Sequence, residues 1–208
     1  MIKVSIIIPC RNEKDYIARC IDSILAQDYP REYLDVIICD GCSDDGTVAI
    51  VKEYCNQHGS VQMLVNEHKI TPYALNIGLK KSKADVKIIL GAHSEIHSDY
   101  VSKCIACFDL SPDIGCVGGV LNNVYNSKTA KIIGSAMSSP FGVGGAHFRT
   151  GAKNGYVDTV AFGAYKKEVF ESIGYFDEDL IRNQDDEFNF RLLKSGRTIY
   201  LSNTIRAN

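Results

Sequence analysis

The sequence predicts an α/β domain, Rossmann-like, with a mostly parallel central sheet flanked by helices on both faces. Three observations carry that expectation. Short β-branched runs alternate with segments whose apolar residues recur at helical spacing. The turns between them are rich in Gly, Asp, Asn and Ser. A chain of 208 residues suits one domain with a sizeable core.

Lys3 to Ile8 is the first expected strand, and Lys14 to Gln27 the first helix, with Ile17, Cys20, Ile21, Ile24 and Leu25 on one face. Leu34 to Cys39 is the second strand, ended by the turn Asp40-Gly41-Cys42-Ser43-Asp44-Asp45-Gly46. A helix from about Thr47 to Gln57 leads into the third strand, Val61 to Val65. Thr71-Pro72 opens a helix to about Lys81: threonine caps, and proline stands where a missing N–H does no harm. Asp85 to Leu90 is the fourth strand, Ser98-Asp99 opens a helix to about Asp109, and Ile114 to Val120 is the fifth strand.

The second half reads differently. Leu121 to Gly155 lacks clean periodicity and scatters glycines, including the run Gly142-Val143-Gly144-Gly145. A stretch of that length without elements marks a functional loop. Beyond it, Val157 to Ala164 reads as a strand, Lys166 to Ser172 and Asp185 to Lys194 as helices, and Thr198 to Leu201 as the last strand.

Composition narrows the function. The chain is 45% hydrophobic and 23% charged, with net charge −2, which gives no electrostatic case for nucleic acid. The opening apolar run is broken by Pro9, too early for a signal peptide, and no run reaches transmembrane length. The expected location is the cytoplasm. Among eight cysteines, Cys39-Cys42 and Cys104-Cys107 share zinc-like spacing. Their positions within expected strands and helices favour free thiols acting as small hydrophobes instead.

Ligands of open α/β sheets bind beyond the carboxyl ends of the strands. Three such ends are polar here: Pro9-Cys10-Arg11-Asn12-Glu13, Asp40-Gly41-Cys42-Ser43 and Gly91-Ala92-His93-Ser94-Glu95. Asp40 is suited to accept hydrogen bonds from a base or ribose, and Arg11 to meet phosphate. Neither G-x-G-x-x-G after the first strand nor G-x-x-x-x-G-K-S/T occurs, against a dinucleotide cofactor and against an ATPase. Asn183-Gln184-Asp185-Asp186-Glu187 places three carboxylates at a helix start. Such carboxylates complement the helix dipole, and one of them is also a candidate general base. Glu187 and Arg191, at i and i+4, suit a structural ion pair.

These residues together resemble the family 2 glycosyltransferases, which share the GT-A fold. Val4-Ser5-Ile6-Ile7-Ile8-Pro9-Cys10-Arg11-Asn12-Glu13 is similar to their opening strand, and Asp40-Gly41-Cys42-Ser43-Asp44-Asp45-Gly46-Thr47 to their D-G-x-S-x-D-G-T turn. Ala74-Leu75-Asn76-Ile77-Gly78 resembles A-x-N-x-G, and Gln184-Asp185-Asp186-Glu187 with Phe188 and Arg191 resembles E-D-x-[DE]-L-x-x-R. Phe162-Gly163-Ala164 and Gly174-Tyr175-Phe176-Asp177-Glu178 match the segments before it. The nearest resemblance is to the succinoglycan-type glucosyltransferases of polysaccharide assembly.

The resemblance implies one catalytic domain over 1–208, a nucleotide-binding half to about residue 120 and an acceptor-side half beyond. It implies inverting transfer from a nucleotide diphosphate sugar, UDP-linked, to a saccharide or lipid-linked saccharide hydroxyl. Pro9, Arg11, Glu13, Asp40 and Asn76 would hold the nucleotide, Asp185 would be the base, and Asp186, Glu187 and Arg191 would support it or the acceptor. Leu121 to Gly155 would be an acceptor lid. Members of that subgroup commonly continue into membrane helices, so the expectation is a truncated chain acting at the inner face of the plasma membrane.

One departure bears on the metal. Where the family carries D-x-D or D-x-H, this chain has Gly91-Ala92-His93. The first carboxylate is gone and His93 stands at the last ligand position. A divalent cation, Mn²⁺ or Mg²⁺, is still expected at His93, with diphosphate oxygens completing its shell. The alternatives are that His93, with Arg or Lys help, stabilises the diphosphate without metal, or that the chain is an impaired module that binds nucleotide sugars without transferring them.

Overall fold

The computed structural model describes residues 1–122 and 154–208. Eight strands form one sheet: β1 (Val4–Cys10), β2 (Leu34–Asp40), β3 (Val61–Val65), β4 (Val86–Ile89), β5 (Ile114–Leu121), β6 (Gly155–Val157), β7 (Ala161–Lys166) and β8 (Thr198–Ala207). Among the described residues the helices are α1 (Ile17–Leu25), α2 (Thr47–Gln57), α3 (Thr71–Lys81), α4 (Tyr100–Cys107), α5 (Lys167–Ile173) and α6 (Gln184–Lys194). Strand order is β3-β2-β1-β4-β7-β5-β8-β6.

The parallel part runs β3-β2-β1-β4, with β5 and β8 also parallel to each other. β7 enters antiparallel between β4 and β5, and β6 pairs antiparallel with β8. The fifth strand is therefore not a neighbour of the fourth. In the centre Ile6, Ile7 and Ile8 of β1 and Ile37 and Ile38 of β2 are buried on both faces, which is why these strands read as continuous apolar runs.

Helix positions follow from what each buries. α1 turns Ile17, Cys20, Ile21 and Ile24 inward, the i, i+3, i+4, i+7 stripe. α3 meets the sheet at Gly78, where an added Cβ would stand 2.6 Å from Ile7 Cγ2 and 3.1 Å from Cys39 Sγ. Buried Lys87 donates from Nζ to the Leu79 carbonyl at 2.8 Å, satisfying a carbonyl in the last turn of α3. Burial pushes that ammonium below the usual lysine range.

In the second half an aromatic cluster fixes α6. Phe188 lies 4.5 Å from Phe176, 5.2 Å from Phe170 and 5.5 Å from Tyr165, centroid to centroid. β8 runs ten residues, past the expected end at Leu201. Its polar middle is satisfied locally by a 2.9 Å hydrogen bond between Ser202 Oγ and Thr204 Oγ1. Its end then exchanges two backbone bonds between Glu95 and Asn208, 2.9 and 2.7 Å, which ties down the segment after Gly91.

All eight cysteines are free thiols, and Cys10, Cys20, Cys39, Cys104 and Cys116 are buried. Among the described residues no helix is long and apolar enough to cross a membrane.

Candidate active site

Two adjoining cavities open at the carboxyl ends of the parallel strands. One, about 400 Å³, is lined by Arg11, Glu13, Asn66, Lys69 and His93. The other, about 540 Å³, is lined by Thr159, Tyr165, Asn183, Asp185 and Asp186. Pro9, Thr71, Gly91 and Phe162 belong to both walls, so the cavities meet at these four residues.

The first cavity rests on two interlocked turns. After β1, the N–H of Asn12 donates to Ser43 Oγ at 2.8 Å, that of Glu13 to Thr47 Oγ1 at 2.8 Å, and that of Lys14 to Asp45 Oδ2 at 3.1 Å. In return the N–H of Asp44 donates to Asn12 Oδ1 at 3.0 Å. Asn12 and Cys42 adopt left-handed backbone at φ +56° and +57° to make the crossing. The Thr47 hydroxyl, 2.6 Å from Asp45, holds that carboxyl below the usual range. Gly41 lets Arg11 lie flat: an added Cβ would be 3.3 Å from Arg11 Cβ and Cδ.

Of the expected nucleotide residues, Pro9, Arg11 and Glu13 line this cavity. Asp40 does not. It is buried in the floor, accepting from the Ser43 N–H at 3.0 Å and the Ser43 hydroxyl at 2.5 Å. Asn76 is not at the cavity either. Its Nδ2 donates to the Phe176 carbonyl at 2.9 Å and to Glu178 Oε1 at 2.8 Å, and its Oδ1 accepts from the Phe176 N–H at 3.0 Å. Buried, with those bonds made, it clamps the segment before α6 to α3.

Lys69 and Asn66 are wall residues that the sequence reading passed over. The signal was available: they follow β3, whose carboxyl end belongs to the same rim as those of β1, β2 and β4.

The second cavity is built on the start of α6. Asn183 turns the chain at φ +59°, and Asp185, Asp186 and Glu187 occupy the first turn. Glu187 is taken up by Arg191, whose Nε and Nη2 meet its two oxygens at 2.5 and 2.8 Å. Arg191 also donates to the carbonyls of Ile173 and Tyr175. That residue pair is structural. Asp185 and Asp186 are exposed and face the cavity. Partial burial, then the neighbouring Asp185 charge, push the Asp186 carboxyl above the usual range.

Phe162 stands where the cavities join. Its φ of +50° is left-handed backbone on a bulky residue, which costs roughly 1–3 kcal/mol. The cause is a β-bulge. Val117 and Gly119 of β5 bracket one residue, while their partners Ala164 and Ala161 of β7 bracket two, Phe162 and Gly163. The buried Tyr100 hydroxyl crosses the core to bond the Phe162 carbonyl at 2.7 Å.

His93 Nδ1 lies 3.3 Å from Glu13 Oε1. Ligands on one octahedral ion at about 2.1 Å stand about 3 Å apart, so this pair suits two positions on a single cation. Among the described residues no group of three or more side chains is placed to hold a metal. The donor set fits a cation only where a ligand's oxygens complete the shell. Residues 123–153, with most of the expected acceptor lid and the Gly142 to Gly145 run, lie outside the described residues.

Comparison with known proteins bears on the family and the fold. A model of glycosyl transferase family 2 matches residues 5–174. A dolichyl N-acetyl-alpha-D-glucosaminyl phosphate 3-beta-D-2,3-diacetamido-2,3-dideoxy-beta-D-glucuronosyltransferase of Methanococcus voltae is 34% identical, over 97% of this chain and 65% of its own length. The succinoglycan biosynthesis protein ExoA of Rhizobium meliloti is 29% identical, over 95% of this chain and 60% of its own. The chain thus spans under two thirds of either relative. Among solved structures, Staphylococcus aureus TarS 1–349 in complex with UDP superposes with a TM-score of 0.74 at 19% identity, over 97% of this chain and 60% of that one. The mannosyltransferase PcManGT of Pyrobaculum calidifontis, in complex with GDP-Man and Mn²⁺, gives 0.76 at 20% identity, over 99% and 56%. The fold is the one these structures share.

Proposed function

The chain belongs to glycosyl transferase family 2, and on that premise we propose that it transfers a hexose from a UDP-linked sugar to an acceptor hydroxyl, with inversion. The observation that carries this is the pair of joined cavities, one walled by Arg11 and Lys69, the other by Asp185 and Asp186. Cations suit a diphosphate and a carboxylate suits a hydroxyl proton, and the two meet at a common wall.

Asp185 takes the proton of the acceptor hydroxyl. The freed oxygen attacks the anomeric carbon from the face opposite the diphosphate, and the bond to the diphosphate breaks. One displacement inverts the centre. Arg11 and Lys69 offset the charge that grows on the leaving group. Mn²⁺ or Mg²⁺ would be held by His93 and Glu13 and would supply further positive charge there. Asp40 and Asn76 act at one remove: Asp40 shapes the turn over which Arg11 lies, and Asn76 sets the approach to α6.

The acceptor is proposed to be a saccharide or lipid-linked saccharide of polysaccharide or glycan synthesis, and the working place the inner face of the plasma membrane. The name of the Methanococcus relative, with its dolichyl-linked saccharide, supports the lipid-linked form, and ExoA supports a succinoglycan-type role.

Calorimetry of UDP binding without metal, with Mg²⁺ and with Mn²⁺, on wild type and His93→Ala, tests the site. Metal-enhanced binding that is lost in His93→Ala is expected. Equal binding under all conditions assigns the diphosphate to Arg11 and Lys69 alone. An absence of UDP binding throughout would sink the reading.

A further inference from the structure

We propose that Phe162 is a specificity-determining residue, an aromatic platform that bears on the transferred sugar at the junction of the two cavities. This rests on the nucleotide-sugar reading above and goes beyond it, because neither the strand-end polarity nor the family motifs give that side chain a task.

Four observations point the same way. Phe162 lines both cavities, so its wall lies between the groups suited to a diphosphate and the carboxylates at the head of α6. Its ring reaches Gly91, where an added Cβ would come within 3.4 Å of Phe162 Cε1. The absence of a side chain at residue 91 thus leaves the ring a clear edge on the junction. The third observation is the bulge, which re-aims a side chain that a regular β7 would direct elsewhere. A left-handed phenylalanine persists only where its surroundings enforce it.

The enforcement is the fourth observation. Tyr100 spans the core from α4 to bond the Phe162 carbonyl, which the bulge takes out of the regular ladder. On the other side Gly163 permits no substituent: an added Cβ would lie 2.7 Å from the Tyr165 ring and 2.9 Å from Cys116 Sγ. Glycine would supply the same backbone at Phe162 without strain, so the ring itself is what this position supplies. A hexopyranose presents C–H groups on its faces, and an aromatic ring fits such a surface while leaving the hydroxyls free.

The test separates sugar from nucleotide. Calorimetry measures UDP, UDP-glucose, UDP-N-acetylglucosamine and UDP-glucuronic acid on wild type, Phe162→Leu, Phe162→Tyr and Tyr100→Phe. In wild type at least one sugar nucleotide binds tighter than UDP. Phe162→Leu keeps an apolar side chain but loses the ring, and is expected to cut that sugar increment by about tenfold. UDP affinity is expected to fall by clearly less than the sugar increment does, and Phe162→Tyr to retain the increment. Tyr100→Phe, which frees the backbone and keeps the ring, is expected to weaken the increment in the same selective way. Equal losses for UDP and its sugars, or an increment untouched in Phe162→Leu, would overturn the platform while leaving the nucleotide site standing. So would a wild type that binds no sugar nucleotide better than UDP. No UDP binding at all would remove the parent reading and this one with it.

Discussion

The two sides of the site are held by opposite means. On the side of β1 and β2, two turns are laced together by side-chain bonds to backbone N–H groups, through Asn12, Ser43, Asp45 and Thr47. Those motif residues shape the cavity, and none of the four lines it. At the head of α6 the order is reversed. Aromatic packing of Phe170, Phe176 and Phe188 and the Glu187–Arg191 pair position the helix, and Asp185 and Asp186 are left exposed in the cavity. Polar motif residues thus hold turns together on one side and stand open to the cavity on the other. A motif match alone does not tell the two apart.

The largest expected effect is one of pH. Every cysteine lies before residue 123. Burial pushes the Cys20 and Cys39 thiols up to about 12, and pushes Cys10, Cys104 and Cys116 up as well. A folded-state value above the unfolded one means that the unfolded chain releases its proton first. The contribution of these thiols is therefore level below the ordinary thiol range and falls as pH rises through it, by about 1.4 kcal/mol per pH unit for each such thiol. Urea midpoints across roughly pH 8 to 11 check this. A level midpoint would mean that the thiols ionise in place.

Next in size is the proposed base. Asp185→Asn is expected to lower transfer by about 10²–10⁴ with UDP affinity kept. Asp186→Asn is expected to cost far less, since one general base suffices. Equal losses from both would make the pair, rather than Asp185, the reacting unit. Arg191→Ala falls on the scaffold side of the same helix. It leaves Glu187 and the carbonyls of Ile173 and Tyr175 without their donor and is expected to cost about 2–3 kcal/mol, read by denaturation. Arg191→Lys should not restore it, because the fork makes those bonds at once.

How far the sequence carried depended on the kind of signal. The parallel strands and helices up to β5 were legible because buried β-branched runs and helical spacing each have one reading. β8 beyond Leu201 was not, because Ser202-Asn203-Thr204 looks like a turn until the Ser202–Thr204 bond and the neighbouring strand are seen. The antiparallel entry of β7 is a choice of neighbour, which spacing within a strand does not encode. On the cavity walls, Arg11, Glu13, His93 and Asp185 are legible as polar residues at strand ends or a helix start, and Pro9 as the end of the first strand. Lys69 is legible only when the end of β3 is counted in the same rim. Phe162 is legible as part of a family segment, but its conformation is not, because that comes from the bulge with β5 and from Tyr100, 62 positions away.

Asn76 gives the smallest expected effect on ligand binding and the sharpest test of scaffold against reagent. Resemblance assigns it to the nucleotide, whereas its amide joins Phe176 and Glu178 across about a hundred residues. Asn76→Ala leaves the Phe176 N–H and carbonyl unpaired and is expected to cost about 1–3 kcal/mol of stability. Asn76→Asp keeps an acceptor for the N–H but sets a second carboxylate beside Glu178 Oε1, 2.8 Å from the present Nδ2, so it is expected to recover little. In both variants UDP affinity should stay within about twofold, since no described atom of Asn76 belongs to either cavity wall. A tenfold loss of UDP affinity with unchanged stability would return Asn76 to the nucleotide. It would also show that the clamp between α3 and α6 is the weaker of its two roles.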